Sequence, residues 1–197
     1  MFEIPDWVFE FHGHYCPFMP IGYRMGILAL KRLGINRVRD HGVFCLPEMG
    51  DRHPQTCMID GLQAATGCTY GKLLMERLNY GKYAAIFYRP GEVAIRISVR
   101  PEFIDRVHRA DFFKYRQRGI EPSKIPYDVC KKAIEPVLTA NEDEMFKVEE
   151  LPDFRFERPK GSWQRARCEK CGEYVFEPYI RVKNGQDLCI PCSGYRD

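Results

Sequence analysis

Four cysteines late in the chain have the spacing of a single metal site. Cys168-x2-Cys171 and Cys189-x2-Cys192 are separated by 17 residues. Thiolates two positions apart can hold one ion from a tight turn, and a second pair returned by a hairpin completes a tetrahedron. The intervening sequence supplies that hairpin: Tyr174-Val175-Phe176, then Tyr179-Ile180-Arg181-Val182, then the turn dipeptide Asn184-Gly185. So small a module buries too little apolar surface to fold unaided, so the metal stabilises it. Zinc is the commoner occupant, although tetrahedral sulfur also suits iron. Four protein ligands leave no position for substrate, and the expectation is a structural zinc.

A second cluster lies near the start. His12-Gly13-His14-Tyr15-Cys16 places two imidazoles and a thiol within five residues. Gly13 allows the backbone a sharp turn. Cys16 precedes a helix start, where the positive end of the dipole favours a thiolate. Cys57, in His53-Pro54-Gln55-Thr56-Cys57, stands at the start of another helix. If the two helix starts converge, His14, Cys16 and Cys57 form a three-ligand site for zinc or another divalent metal. Three protein ligands plus water suit an ion that activates water or polarises a carbonyl. His12 is then a fourth ligand or a neighbouring acid/base. The competing reading is a loop whose polar side chains satisfy one another.

Asp60 and Gln63 follow Cys57 by about one helical turn and can face the same pocket, or cap and solvate the helix. The stretch from Thr66 to Lys72 looks faintly like a phosphate loop. Its glycines are one residue too close, and Leu73 stands where Ser or Thr would meet magnesium. Lys72 is a candidate cation for an anionic substrate, or plain surface. Cys45 and Cys130 read as buried small hydrophobes. His41 and His108 read as structural or exposed.

These residues need elements to place them. Apolar spacing predicts a helix from Pro20 to just before Gly34, a short buried strand at 43–46, and a helix from Cys57 to Gly67 with Thr56 as a candidate cap. A hairpin follows, with strands at 83–88 and 93–99 and Pro90-Gly91 in the turn. Helices are expected at 103–118 and 126–138, and a strand at Phe146 and Val148. Helices and strands mix without strict alternation, so the class is α+β. Residues 152–167 lose periodicity and read as a basic linker carrying Arg155, Arg158, Lys160, Arg165 and Arg167, with Pro159 and Gly161. Together with Tyr174, Phe176 and Tyr179 it offers an alternative role, contact with nucleic acid or a partner protein. The organisation is therefore a core at 1–155 and a linker with finger at 156–197.

The 197 residues are 45% hydrophobic with a net charge of +3, which argues neither for nor against nucleic acid. No stretch approaches the ~18 apolar residues of a membrane span, and the first residues lack a signal-peptide pattern. Nine cysteines, an odd number with four in close pairs, read as metal ligands of a cytoplasmic protein rather than a disulfide scaffold.

Phe11-His12-Gly13-His14-Tyr15-Cys16-Pro17, continuing to Gly22-Tyr23-Arg24, resembles the opening motif of the FmdE family, which is named for formylmethanofuran dehydrogenase. Cys57-x2-Asp60-Gly61-Leu62-Gln63, the stretch from Thr66 to Lys72, and Gly81-Lys82-Tyr83-Ala84 match its next blocks in order. The resemblance implies a thioredoxin-like core with a mixed sheet flanked by helices and a treble-clef finger. It places the histidine–cysteine motif and Cys57 in a metal-binding active site, to which the residue reading above adds His12, Asp60 and Lys72 as catalytic candidates. It also implies a homodimer and association with a molybdenum or tungsten oxidoreductase; the chemistry expected of the metal site is on a small carbonyl or one-carbon compound, or a redox-associated accessory role. Phe18 departs from the pattern, standing where glycine is expected, so its ring would narrow the pocket or shield the metal.

Overall fold

Four strands precede residue 152: β1 Phe44–Pro47, β2 Ala84–Tyr88, β3 Ala94–Val99 and β4 Phe146–Leu151. In the computed structural model, which describes residues 1–52, 55–158 and 160–195, they form one antiparallel sheet in the order β1-β2-β3-β4. Cys45, Ala85, Phe87, Ile95, Ile97 and Phe146 join the main core. The alternate residues Leu46, Ile86, Tyr88 and Ala94 form a smaller cluster with Phe154 and Phe156. This is the alternation a strand imposes, since successive side chains point to opposite faces. The expected α+β class holds. Where a mixed sheet was expected, the four strands all pair antiparallel, and the parallel element among the described residues is one bridge, Cys45–Met75.

The smaller-cluster side also carries a buried ion pair. Glu48 is 2% exposed, and Arg96 grips both its carboxylate oxygens, at 2.6 and 2.8 Å. Arg96 also donates to Glu149 at 3.0 Å.

Helices supply the rest of the first unit, Met1–Phe156: α1 Asp6–His12, α2 Phe18–Leu33, α3 Met58–Thr66, α4 Pro101–His108, α5 Asp111–Gln117, α6 Tyr127–Thr139 and α7 Glu142–Met145. The α2–α3 pair matters most for the site. Gly22 and Gly26 on α2 face Gly61 and Ala65 on α3. A methyl at Gly22 would overlap the Met58 carbonyl, one at Gly61 the Met19 carbonyl, and one at Gly26 would lie 2.6 Å from the Ala65 methyl. Two small residues spaced by four on each helix let the backbones touch. Arg24, 6% exposed, donates to the carbonyls of Val137 and Ala140 at the end of α6. There it stabilises carbonyl groups that the helix leaves without partners.

The helices differ from the sequence reading in places. α2 begins at Phe18, two residues before Pro20. The helix expected at 103–118 is two helices, because Ala110 is extended and caps α5. The break lets Phe103 and Val107 on one piece and Phe112 on the other all reach the core. α1 has no counterpart in the sequence reading. His53, Pro54 and Pro159 lie outside the described residues.

The second unit, Glu157–Asp197, contains β5 Arg165–Arg167, β6 Tyr174–Phe176, β7 Ile180–Lys183, β8 Gln186–Cys189 and α8 Ile190–Ser193. β5 lies within the stretch read as linker; its pairing with β6 gives it order that periodicity could not show. Among the described residues, no helix is long and apolar enough to cross a membrane.

Candidate metal centre

α1 ends at His12, and Gly13 turns the chain with φ 84°. That left-handed conformation is open to glycine without steric cost, and it folds His14 back beside His12. The two rings lie with centroids 4.2 Å apart, and their Nε2 atoms are 3.1 Å apart. Cys16, just before α2, places its Sγ 3.5 Å from His12 Nε2. Cys57 is the N-cap residue of α3, a place the sequence offered to Thr56. The small-residue seam between α2 and α3 brings these two helix starts together. The donor atoms of His12, His14, Cys16 and Cys57 all lie within 4.8 Å of one another.

These spacings fit a metal. Bond lengths of 2.0–2.1 Å to nitrogen and 2.3 Å to sulfur at a tetrahedral zinc imply N···N separations of about 3.3 Å and N···S of about 3.5 Å. His12 therefore stands inside the cluster as a donor. Its other nitrogen explains its orientation: Nδ1 donates to Asp60 Oδ2 at 2.8 Å, and Gln63 donates to Asp60 Oδ1 at 3.4 Å. A carboxylate behind a histidine is the usual device for aiming its free nitrogen at a metal.

The protons are not where the helix dipole alone would put them. Cys57 is drawn down to about 3, chiefly by the hydrogen bond from Cys16 and, against the cost of burial, by those from His12 and His14. Cys16 goes the other way, pushed up by that hydrogen bond to Cys57 and by burial. The amides of Met19 and Phe18 at the start of α2 favour its thiolate but are outweighed. The sequence reading placed the stabilised thiolate at Cys16; the structure places it at Cys57. Burial opposes a charge on His12, yet hydrogen bonds to Asp60 and Cys57 raise its pKa to about 9.

An open cleft of about 330 Å³ borders the cluster, lined by His12, Cys57 and Asp60 together with Ile59, Tyr70 and Arg77. Lys72 is not part of it: its ammonium group donates to the carbonyls of Val38 and Arg39, both at 3.2 Å. Arg77 is the cation in the cleft, and nothing in its sequence surroundings marks it. A second cleft, about 520 Å³, reaches His14 from the side of Tyr15 and Tyr127. Phe18 lines neither cleft. It is buried, stacked on Tyr83 at 5.7 Å and packed against His108 and Phe113. His108 is held in that aromatic group by hydrogen bonds to Ile104 and Gln55.

In the second unit, Cys168, Cys171, Cys189 and Cys192 also converge within 4.8 Å. Cys171 and Cys189 have sulfurs 3.9 Å apart, against about 3.8 Å for two thiolates on a tetrahedral zinc. Cys168 directly follows β5 and Cys171 lies in the turn after it; Cys189 closes β8 and Cys192 sits in α8. Backbone amides of Cys171 and Cys189 aimed at Cys168 lower its pKa to about 6, which readies a thiolate for a cation.

An antiparallel sheet with a helix-borne histidine–cysteine cluster, accompanied by a four-cysteine module, is the plan of a zinc-binding protein in two units. Residues 11–147 match the FmdE family, described by the molybdenum formylmethanofuran dehydrogenase operon, and residues 161–197 match the prokaryotic dksA/traR C4-type zinc finger. The chain belongs to the FmdE family and carries a C4-type zinc finger. A probable S-adenosyl-L-methionine-binding protein of Archaeoglobus fulgidus is 31% identical over 197 residues, covering 94% of this chain and 51% of that protein. The chain thus spans about half the length of this curated relative. The fold is also that of a tungsten formylmethanofuran dehydrogenase FmdE-like protein from Syntrophus aciditrophicus. The TM-score is 0.59 at 18% identity, over 96% of this chain and 89% of that one.

Proposed function

We propose that the first unit holds a divalent metal ion on His12, His14, Cys16 and Cys57 and acts on a small carbonyl or one-carbon compound entering beside Cys57. The observation that carries this reading is the convergence of four donor atoms at the foot of an open cleft. Bound there, the ion supplies a Lewis acid for a carbonyl oxygen. Asp60 keeps His12 Nε2 aimed inward. Arg77 offers a cation to an anionic oxygen of the substrate. Tyr70 stays protonated, because burial raises its pKa, and so serves as a hydrogen-bond donor. Four protein donors fill a tetrahedral shell, so a substrate needs a fifth position or the departure of one ligand. His14 is the ligand that yields: among the described residues its ring has no partner outside the cluster, whereas Asp60 holds His12.

A filled shell also favours a second reading, in which the centre is structural and the protein, as a homodimer, is an accessory to a molybdenum or tungsten oxidoreductase. Cobalt(II) substitution separates the two. Formate or formaldehyde added to the cobalt protein is expected to change its visible bands if the centre accepts a substrate atom. Bands that stay fixed at saturating concentrations would sink the first reading and favour the second. Metal counting accompanies the test: Cys57→Ser is expected to lose one of two ions per chain, and an unchanged count would remove the centre altogether.

A further inference from the structure

The outward face of the β5–β6 ribbon carries two cations and two rings. Arg165 pairs across the strands with Phe176, and Arg167 with Tyr174. Residues directly opposite share a face, so these four side chains stand together, while Ala166 and Val175 between them are half-buried on the other side. Both guanidinium groups lie over the Tyr174 ring, 4.7 and 5.2 Å from its centroid. Neither makes an ion pair among the described residues. Phe176 and Tyr174 are exposed, and Trp163, two residues before Arg165, is 95% exposed. The surrounding sequence is basic: Lys160, Arg165, Arg167, Lys170, Arg181 and Lys183 outnumber Glu169, Glu173 and Glu177.

We propose that this face of the finger binds single-stranded nucleic acid. Arg165 and Arg167, held over the Tyr174 ring, contact phosphates, and unpaired bases stack on Trp163 and Phe176. Guanidinium groups are the side chains best matched to phosphate, and they stack on planar rings as well. Exposed aromatic faces beside cations form the usual platform for single strands, because every unpaired base has a ring face to offer. A duplex hides those faces, and an acidic peptide would use the charges without needing the rings. The metal site is built into the platform, since Cys168 directly follows β5 and Cys171 lies in the turn to β6. Loss of the ion therefore removes the surface.

The test is fluorescence anisotropy of a labelled oligothymidylate with the full chain across a salt series. Binding is expected to weaken with salt and to vanish when a chelator strips the finger. The double variant R165A/R167A is expected to bind at least tenfold more weakly, with a log–log salt slope shallower by about 1.4, from about 0.7 per phosphate contact. Trp163→Ala is expected to lose about tenfold with the slope unchanged, because it removes stacking and not charge. In a Trp7→Phe background, the oligonucleotide should quench Trp163 fluorescence. Zinc content checks that each variant keeps its finger; Trp163 lies outside both strands, so Trp163→Ala decides if the double variant loses zinc. Failure of the oligonucleotide to bind, equal affinity for a duplex, or displacement by polyglutamate with Trp163→Ala unaffected would each overturn the proposal.

Discussion

His12 Nδ1 donates a hydrogen bond to Asp60 Oδ2 at 2.8 Å, joining residues 48 apart in the chain. This contact turns the opposite nitrogen of the ring toward His14 and Cys16. Removing the carboxylate while keeping the shape should loosen the metal without unfolding the unit. Asp60→Asn is expected to weaken metal affinity about 10–100-fold, the usual effect of losing such a partner. Competition with a chromophoric chelator measures it, and unchanged affinity would show that Asp60 does not orient the ligand.

Metal uptake should release protons in a countable way. Near neutral pH, Cys57 is already a thiolate, whereas Cys16 and His12 still hold protons. Both must leave for the donors to bind a cation, so about two protons per ion are expected at the first centre. Calorimetry of Cys192→Ser, whose finger is weakened, in buffers of different ionisation enthalpy reads the number. In Asp60→Asn it should move toward one, because His12 loses a hydrogen bond that raises its pKa. A release near zero in the parent would contradict the proton placement.

The same shifts set how the metal-free first unit responds to pH. The raised His12 pKa stabilises the fold fully below 6.5 and is lost as pH rises through about 9. The depressed Cys57 pKa stabilises it fully above 9.0 and is lost as pH falls toward about 3. Between 6.5 and 9 these slopes oppose each other. Below that window only the Cys57 slope remains, so acid destabilises. Above it, the raised Cys16 pKa makes alkali destabilising too. Urea midpoints with chelator present should therefore show a plateau from near-neutral to mildly alkaline pH. A midpoint climbing steadily into alkali would contradict the assignment.

Backbone contact between α2 and α3 leaves no room for a methyl group. Gly61→Ala would drive a carbon into the Met19 carbonyl. Overpacking costs about 1–3 kcal/mol even where side chains can yield, and backbone yields less. The variant is expected to melt at lower temperature and to lose the first ion while keeping the finger's. Gly26→Ala meets only the Ala65 and Thr66 side chains closely, so its effect should be milder. Equal melting of Gly61→Ala and the parent would show that the helices are not in contact.

Arg96→Met leaves the Glu48 carboxylate buried without its bidentate partner. Breaking a buried pair in this way costs about 3–5 kcal/mol. The double variant Glu48→Leu/Arg96→Met should recover most of that loss, since no charge is left behind. Urea unfolding of the two variants makes the comparison, and a double variant no better than the single would assign the cost to packing alone.

Where ligands lie close in sequence, the chain itself declares them. Each cysteine pair of the finger spans four residues, and His12, His14 and Cys16 lie within five, so spacing alone marked them as candidate ligands. Alternation likewise exposed the hairpin strand at 93–99, because a strand's side-chain period is a local property. What needed the tertiary structure were quantities summed over distant neighbours. Cys57 reaches the cluster only because Gly22, Gly26, Gly61 and Ala65 let two helices touch, and four small residues do not announce which helices they will join. The proton left Cys57 rather than Cys16 because hydrogen bonds from three other residues outweighed a local helix dipole. Arg77 faces the cleft and Lys72 does not, because the backbone carbonyls of Val38 and Arg39 draw the lysine elsewhere. Sequence determined which residues could hold a metal; the close packing of α2 on α3 decided that the first four meet, and where their protons reside.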